Sequence, residues 1–386
     1  MKVAFYAPLK PPGHPVPSGD RALARLFVEA LRMGGHTVEI ESSFRSREGA
    51  GDRARQQRLT RLGERLARRL VRRLQGRPPG ERPEVWFTYH LYYKAPDFFG
   101  PVVSERLGIP YVVAEASHAP KRATGPWAEW HARVASAIGI AARVLVMNSD
   151  DAPGLRPLIG RGERMVPFAP FIDTAPYQLP DGRARRTPGG PISDSPGGSP
   201  PALLAVGMMR PGRKVECYRL LARVLGGMCD LDWRLQVVGG GESEAMVRAM
   251  FEPLRERTRF LGVLDRERLA RVYSACDLFV WPALGEPLGV VFLEAQASGL
   301  PVVAGRTRGV VDLVRNGETG VLVPEGDVEG MRRALRTLIE SPASRHRLAA
   351  RARHHVLAHH DLPGAASRLD EVLTDVVRGE RRMIER

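Results

Sequence analysis

Lysine and cysteine are both scarce in this chain of 386 residues. Only five of the 58 basic residues are lysines, at Lys2, Lys10, Lys94, Lys121 and Lys214. The three cysteines, Cys217, Cys229 and Cys276, lack metal-ligand spacing, and their odd number argues against a disulfide framework. We therefore expect a reduced, cytoplasmic location and no cysteine-bound metal.

Long apolar runs are also missing. The first residues, MKVAFYAPLKPPG, contain one early lysine and a short apolar run that proline ends, unlike the apolar core of a signal peptide. No later stretch reaches the roughly 18 apolar residues that a membrane span needs. The sequence therefore predicts neither a secretory leader nor a membrane-spanning helix.

The composition is that of a folded protein, with 43% apolar and 26% charged residues, and its length suits two or three domains. The net charge of +15 is uneven. Residues 51–83 contain eleven arginines against three acidic residues, Asp52, Glu64 and Glu81. More than half of the net charge therefore comes from this short stretch.

Residues 53–77 have the pattern of an amphipathic helix. The apolar face is expected to consist of Leu59, Leu62, Leu66, Leu70 and Leu74. The opposite face is expected to hold Arg58, Arg61, Arg65, Arg68, Arg69 and Arg72, with Arg73 at the border. Packing on a sheet explains the leucines, whereas the dense arginines favour contact with an anionic membrane surface. Nucleic acid binding is not expected, because no aromatic residues are interleaved with the arginines.

Strand-like and helix-like segments alternate along the chain, which predicts an α/β protein with parallel sheets. In the first half, Asp20 is expected to cap a helix that Gly34 and Gly35 close. Residues 179–201 are rich in Pro, Gly and Ser and read as a linker or loop. We predict two Rossmann-like, doubly wound domains at 1–178 and 202–359, with a C-terminal helix at about 360–386 packed back on the first domain.

The segment GEPLGVVFLEAQASGLPVVAG, residues 285–305, places two glutamates in an unusual setting. A largely buried helix is expected from Leu288 to about Ser298, with Gly299 at its C-terminal cap. Glu294 would lie inside this helix, and Glu286 would follow a strand at the sheet edge where ligands bind. Either glutamate alone could be an ordinary surface residue. Together with the phosphate-binding capacity of a helix N-terminus, they favour a polyhydroxylated ligand that carries a diphosphate.

This segment resembles the E-x7-E signature of family 4 of the retaining glycosyltransferases. The wider pattern agrees over residues 202–327, where further similar segments are AVGMMRPGRK, LQVVGGGE, RFLGVLDRERLARVYSACDLFVWPALGEPLG and GVVDLVRNGETGVLVPEGD. In the first half the resemblance is limited to PSGDRALA and EASHAPKR. The resemblance implies the GT-B fold, in which two Rossmann-like domains face each other and the donor site lies in the cleft between them.

The resemblance also implies roles for individual residues. Glu294 resembles the glutamate that binds the ribose hydroxyls of a nucleotide sugar, and Glu286 resembles the one beside the donor sugar. The diphosphate would be held by the backbone of Leu288, Gly289 and Val290. His118 resembles the first-domain histidine that faces the reaction centre.

The basic pair of the family departs from its usual spacing here. Met208 occupies the position where an arginine is usual, so the candidates are Arg210, Arg213 and Lys214, of which we favour Arg210 with Lys214. The remaining expected donor-binding residues are Gly207, Gly239, Val263 and Leu264. The expected acceptor-side loop contains Gly13, Ser18, Gly19 and Asp20.

The sequence therefore predicts a retaining glycosyltransferase that moves a sugar from a nucleotide-sugar donor to a hydroxyl acceptor in glycan or glycolipid synthesis. No metal or other cofactor is expected, because no Asp-x-Asp pair is placed beside the diphosphate. A nucleotide-sugar epimerase, a sugar phosphorylase and an inactive glycan-binding or scaffold protein remain as alternatives. The nucleotide base, the sugar, the acceptor and the linkage stay open.

Overall fold

The computed structural model describes residues 1–16, 18–160, 162–177, 186–187, 190–191, 200–286 and 288–384. The chain forms two compact units. One consists of Met1–Ala169 together with Leu362–Arg386, and the other of Pro170–Asp361. Most of the predicted linker at 179–201 lies outside the described residues.

The first unit is built on a six-stranded parallel sheet in the order β2–β1–β3–β4–β5–β6. Its strands are β1 (Lys2–Tyr6), β2 (Thr37–Ile40), β3 (Val85–Leu91), β4 (Tyr111–Ala116), β5 (Arg143–Val146) and β6 (Met165–Pro167). Its helices up to this point are α1 (Gly19–Met33), α2 (Arg53–Gln75), α3 (Gly100–Leu107), α4 (Ala128–Ile140) and α5 (Ala152–Ile159). The strand order reverses between β1 and β3, which makes their carboxyl ends a topological switch point.

The second unit repeats this plan with a six-stranded parallel sheet in the order β11–β10–β9–β12–β13–β14. The strands from residue 186 on are β7 (Arg186–Thr187), β8 (Gly190–Pro191), β9 (Ala202–Val206), β10 (Arg234–Val238), β11 (Thr258–Gly262), β12 (Leu278–Trp281), β13 (Val302–Arg306) and β14 (Gly320–Pro324). The helices are α6 (Arg213–Gly226), α7 (Glu244–Met250), α8 (Arg266–Ser274), α9 (Val290–Ala297), α10 (Arg308–Val311), α11 (Val328–Glu340) and α12 (Pro342–His359). The short strands β7 and β8 pair antiparallel with each other. The predicted fold class, two Rossmann-like doubly wound sheets, is confirmed.

The central strands are apolar over nearly their whole length, as parallel strands covered on both faces require. In β12, with the sequence LFVW, all residues are buried. In β3, with the sequence VWFTYHL, all residues are buried except His90, which is half-buried. A polar side chain near the carboxyl end of such a strand therefore stands out as a functional candidate.

The last helix, α13 (Leu362–Ile384), belongs to the first unit and contacts α1. Asp370 lies 3.5 Å from the buried His36, and Asp375 accepts a 2.5 Å bond from Arg143. The buried side chains of α13 include Leu369 and Leu373. Chain segments far apart in sequence thus build the first unit.

The N-terminal cap of α1 differs from the prediction. Ser18, rather than Asp20, caps the helix, and its Oγ accepts a hydrogen bond from the Arg21 backbone N–H at 3.2 Å. Asp20 lies inside the first turn, where a carboxylate is favoured by the helix dipole. Because the hydroxyl of Ser18 satisfies the end of the helix, the Asp20 carboxylate can contact another element.

The buried face of α2 also differs from the prediction. Leu59, Leu62 and Leu66 are only half-buried. The buried positions are instead Gln56, Thr60, Gly63, Ala67, Leu70, Val71 and Leu74. Small residues allow the helix axis to lie close to the domain, since a Cβ added at Gly63 would stand 2.6 Å from the Phe98 ring. The predicted stripe of five leucines is therefore wrong as a buried face, although Leu70 and Leu74 belong to it.

Candidate functional site

The loop between β12 and α9 is held by contacts that require glycine. Gly285 has φ +56°, and a Cβ there would stand 1.8 Å from the Arg213 guanidinium. Arg213 donates to the Gly285 carbonyl at 3.0 Å, and the Gly285 N–H donates to Glu325 at 2.7 Å. Arg213, predicted as a phosphate contact, thus holds the loop that carries Glu286.

Glu286 forms an ion pair with Lys214. The Lys214 Nζ lies 2.6 Å from a Glu286 carboxylate oxygen, and the two side chains are 35% and 12% exposed. Lys214 also lies 5.3 Å from the centre of the Trp281 ring. Of the three predicted cations, Lys214 is the one joined to Glu286 by an ion pair. Arg210 is an exposed residue of the loop between β9 and α6.

The helix that carries Glu294 is shorter than predicted. It spans Val290–Ala297 with Gly289 at its N-cap, whereas the sequence predicted 288–298. Gly289 permits a close approach, because a Cβ there would lie 2.3 Å from the Phe292 ring. The predicted backbone donors at Leu288, Gly289 and Val290 therefore surround the start of the helix. The first N–H groups of a helix lack carbonyl partners within it, which suits them to an anion.

Glu294 lies among tyrosines that sequence analysis missed. The Tyr273 hydroxyl donates to its Oε2 at 2.9 Å. Burial raises the pKa of Glu294, whereas hydrogen bonds from Tyr273 and Tyr177 lower it. A carboxylate has about four acceptor positions, so these bonds leave capacity for ligand hydroxyls. Tyr273 is near in sequence, on α8, but no sequence pattern connects Tyr177 with Glu294.

The glycines predicted to bind the donor bring strand ends together. Gly239 has φ +138°, and a Cβ there would lie 1.9 Å from the Gly207 carbonyl oxygen. The Gly239 N–H donates to the Gly262 carbonyl at 2.9 Å. The close approach of the two backbones thus explains why glycine occupies position 239 and lies opposite it at Gly207. Val263, beside Gly262, is 77% exposed, and Leu264 is half-buried.

In the first unit, His118 follows β4. Its Nδ1 lies 3.2 Å from the Gly154 carbonyl oxygen, and its ring centre is 4.3 Å from that of His131. Burial and the neighbouring His131 lower the pKa of His118. The lowered pKa favours the uncharged imidazole, the form that accepts a proton.

The predicted acceptor-side loop contains residues of different character. Gly13 is exposed and Ser18 caps α1, while Gly19 begins that helix. Asp20 reaches His90, whose Nδ1 lies 3.3 Å from its carboxylate oxygen. His90 also lies 3.6 Å from Glu115. Sequence analysis missed both of these partners, although each is a charged residue near the carboxyl end of an apolar strand.

The described residues contain no group of three or more His, Cys, Asp or Glu side chains arranged to hold a metal ion. Within the same part of the chain, no helix combines the length and apolarity needed to cross a bilayer.

Comparisons with known proteins agree over both units. Residues 200–341 match the family described as Glycosyl transferases group 1. A D-inositol 3-phosphate glycosyltransferase of Rhodococcus erythropolis is 31% identical over 293 residues, which cover 71% of this chain and 64% of the relative. This chain thus matches less than two thirds of that relative's length.

Two solved structures have the same fold. The sucrose-phosphate synthase of Thermosynechococcus elongatus superposes with a TM-score of 0.72 at 20% identity, covering 98% of this chain and 100% of the other. HepE of Anabaena, crystallised with UDP, gives a TM-score of 0.70 at 18% identity, covering 97% and 100%.

Proposed function

Because this chain belongs to the group 1 glycosyltransferases, we propose that it is a retaining enzyme that moves a sugar from a nucleotide-sugar donor to a hydroxyl acceptor. The proposal rests above all on one observation. Glu286, which is paired with Lys214, the N-terminus of α9 and the half-buried Glu294 follow one another along the loop and helix after β12.

Each of these groups suits one part of a nucleotide sugar. The α9 N-terminus and Lys214 supply positive charge for a diphosphate leaving group. Glu294 supplies acceptor oxygens for ribose hydroxyls, and Glu286 is placed to orient the donor sugar. In a retaining reaction of this kind the departing phosphate takes the proton of the acceptor hydroxyl, so no carboxylate nucleophile is required.

The alternatives are less favoured. A phosphorylase would need a lysine for pyridoxal phosphate, but we assign Lys214, the only lysine after residue 121, to the diphosphate. The Rhodococcus relative is named as a transferase and the Thermosynechococcus neighbour as a synthase, which disfavours an epimerase. Retention of both glutamates disfavours an inactive scaffold.

Calorimetric titration with UDP, GDP and ADP tests the donor site. We expect one nucleotide to bind, and UDP is tried first because HepE was crystallised with it. Glu294→Ala should weaken binding by about 1–3 kcal/mol, or roughly 5- to 150-fold, because ribose hydroxyls lose their acceptor. Glu286→Gln should instead lower turnover with little change in nucleotide affinity.

Glu256→Gln, an exposed change in the same unit, is the matched control and should leave affinity unchanged. If the Glu294→Ala variant binds nucleotide as tightly as the unmodified protein, the role proposed for Glu294 is contradicted. We also propose that no metal is needed, since Lys214 and backbone donors can neutralise the diphosphate. Titrations in EDTA test this, and binding that requires added Mg²⁺ would overturn it.

We further propose that the protein is cytoplasmic and contacts an anionic membrane surface through α2, where a lipid-linked acceptor would lie. Six exposed arginines share one side of this helix: Arg58, Arg61, Arg65, Arg68, Arg69 and Arg72. In the described part of the chain, no acidic side chain pairs with any of the six, whereas neighbouring Arg73 and Arg77 pair with Glu41 and Glu39. Each basic residue near an anionic surface contributes about 1 kcal/mol.

Vesicle flotation tests this contact. The parent should float with anionic vesicles and stay behind with neutral ones, and replacing Arg61, Arg65 and Arg68 with Gln should reduce its recovery. A variant with Arg266, Arg268 and Arg271 on α8 replaced by Gln removes equal charge elsewhere and should float like the parent. Equal recovery with both vesicle types would end the idea.

A further inference from the structure

Two residues in the first sheet have strained backbones side by side. His90 near the end of β3 has φ +64°, and Glu115 near the end of β4 has φ +56°. In the register of these strands Tyr89 pairs with Ala114 and Leu91 with Ala116, so His90 and Glu115 are neighbours. Such a conformation costs a non-glycine residue about 1–2 kcal/mol and concentrates at functional sites.

The two strained residues form a charged cluster with Asp20. The His90 imidazole lies 3.3 Å from Asp20 and 3.6 Å from Glu115. Burial opposes the charge of His90, but Glu115 and Asp20 outweigh it and raise the pKa of His90 to about 9. The side chains of His90 and Glu115 are each 17% exposed, while that of Asp20 is 39% exposed, so the cluster reaches the surface through Asp20.

The cluster retains unused hydrogen-bond acceptors. Oε2 of Glu115 is buried, and apart from the Tyr89 hydroxyl, which lowers the pKa of Glu115, no described residue offers it a hydrogen bond. Carboxylates fixed in this way accept bonds from the vicinal hydroxyls of a sugar or polyol. The cluster also lies beside the β1/β3 switch point, the position where open parallel sheets bind ligands.

A row of aromatic rings leads away from this cluster. The ring centres are 5.0 Å apart for His90 and Tyr92, 5.6 Å for Tyr92 and Tyr93, and 5.5 Å for Tyr93 and Trp127. Tyr92 and Tyr93 are half-buried. Aromatic rings next to carboxylates provide apolar faces and polar edges together, as a sugar ring requires.

Two cations stand at the far end of the row. Lys94 Nζ lies 4.9 Å from the centre of the Trp127 ring. The Arg122 guanidinium lies 5.2 Å from the ring centre of Tyr93 and 5.2 Å from that of Trp127. Among the described residues neither cation has an acidic partner within ion-pair distance. The Arg122 Nε and the Trp127 Nε1, the latter on a side chain only 9% exposed, are buried donors without a described partner. Two cations over the same Trp127 ring, together with the unused donors of Arg122 and Trp127, suit an anionic group such as phosphate.

We propose that this surface, which we term the His90–Trp127 platform, binds the acceptor, and that the acceptor is a polyhydroxylated molecule with an anionic group such as phosphate. This inference rests on the glycosyltransferase function proposed above. The carboxylates of Asp20 and Glu115 bind the hydroxyls, the tyrosines line the ring, and Lys94 with Arg122 binds the anion. His90 is a positioning residue that fixes the two carboxylates.

Direct binding to the full chain tests the platform. The probes are inositol 1-phosphate, glucose 6-phosphate and glycerol 3-phosphate, each compared with its neutral counterpart and with inorganic phosphate. At least one phosphorylated probe should bind tenfold or more tightly than both its neutral counterpart and phosphate. If none does, the proposal is overturned. Dihexanoyl phosphatidylinositol, compared with inositol 1-phosphate, shows whether the phosphate belongs to a lipid headgroup or a soluble molecule.

Variants locate the two ends of the platform. Arg122→Gln should remove most of the preference for phosphorylated probes, whereas Lys121→Gln, an exposed change next to it, should not. Glu115→Gln should lower the affinity for phosphorylated and for neutral probes to the same extent, by about tenfold. Arg122→Gln with an unchanged phosphate preference would refute the anion site.

Nucleotide titration of the same samples separates this inference from the proposed function. Platform variants should bind nucleotide as the parent does, which also shows that they are folded. If the unmodified protein binds no nucleotide, the proposed donor site is refuted. The preference for phosphorylated probes then still tests the platform independently. A platform variant that loses nucleotide affinity together with probe binding would contradict a separate acceptor surface.

Discussion

At the scale of single residues, Glu286 and Glu294 have different partners although only eight positions separate them. Glu286 faces the ammonium of Lys214, so its charge is neutralised by a cation. Glu294 accepts from the neutral hydroxyl of Tyr273, and among the described residues no cation forms an ion pair with it, although the charge of Arg266 lowers its pKa. This difference supports the separate roles that we propose for them, Glu286 beside the donor sugar and Glu294 at the ribose hydroxyls.

His90 leads to a prediction about pH. Its pKa of about 9 in the folded state lies above the ordinary value of 6.5. The stabilisation of the folded state by protonated His90 is therefore complete below about pH 6.5 and is lost as the pH rises through 9. Between these values the His90 contribution to the free energy of unfolding should fall by at most about 1.4 kcal/mol per pH unit.

Urea unfolding followed by circular dichroism between pH 6 and 10 checks this prediction. His90→Gln should be less stable than the parent at pH 6, and the difference should shrink towards pH 10. His346→Gln, an exposed change on α12, should keep the parent's pH dependence. An equal loss of stability at every pH would mean that His90 contributes through packing alone.

At the scale of elements, α2 shows why a hydrophobic stripe is an incomplete guide to a buried face. Leucines predict where apolar surface lies, but the buried positions of the helix include the small residues Gly63 and Ala67. Thr60 accepts a hydrogen bond from the Trp130 indole at 3.0 Å, which allows a polar residue in that interface. With these residues facing the domain, the arginines on the opposite side of α2 stay exposed.

Gly63→Ala should destabilise the protein despite the better helix propensity of alanine. The added Cβ would lie 2.6 Å from Cγ of Phe98, whose ring is buried, and overpacking of this kind costs about 1–3 kcal/mol. Gly379→Ala in α13 is the matched control, because its Cβ would meet nothing within 4 Å. Alanine there should be neutral or stabilise by up to about 1 kcal/mol.

Thermal unfolding of the two variants makes the comparison. Phe98→Leu combined with Gly63→Ala should recover part of the lost stability, because the smaller side chain makes room for the methyl group. If Gly63→Ala proved as stable as the parent, the interface between α2 and Phe98 would have to be looser than the contacts indicate.

At the scale of the whole molecule, the chain repeats one plan in two units, each with a parallel sheet of six strands. The unit boundaries lie at 169/170 and 361/362, whereas the composition of 179–201 suggested a boundary slightly later. The boundary between two compact units can lie in ordered backbone, so a linker-like composition does not by itself locate the boundary. The C-terminal helix belongs to the first unit, where it contacts α1.

The sequence by itself determined the two parallel sheets, because buried strands must be apolar throughout and helices must connect them. It also indicated α9 and its two glutamates, because a carboxylate in an apolar helix is conspicuous. Only the tertiary structure decided which groups meet those carboxylates and which residues cluster in the first unit. Packing of α8 against the turn at Ala175–Tyr177 brings Tyr177 and Tyr273 together. The pairing of β3 with β4 and the position of α1 bring Asp20, His90 and Glu115 together, and neither grouping depends on spacing along the chain.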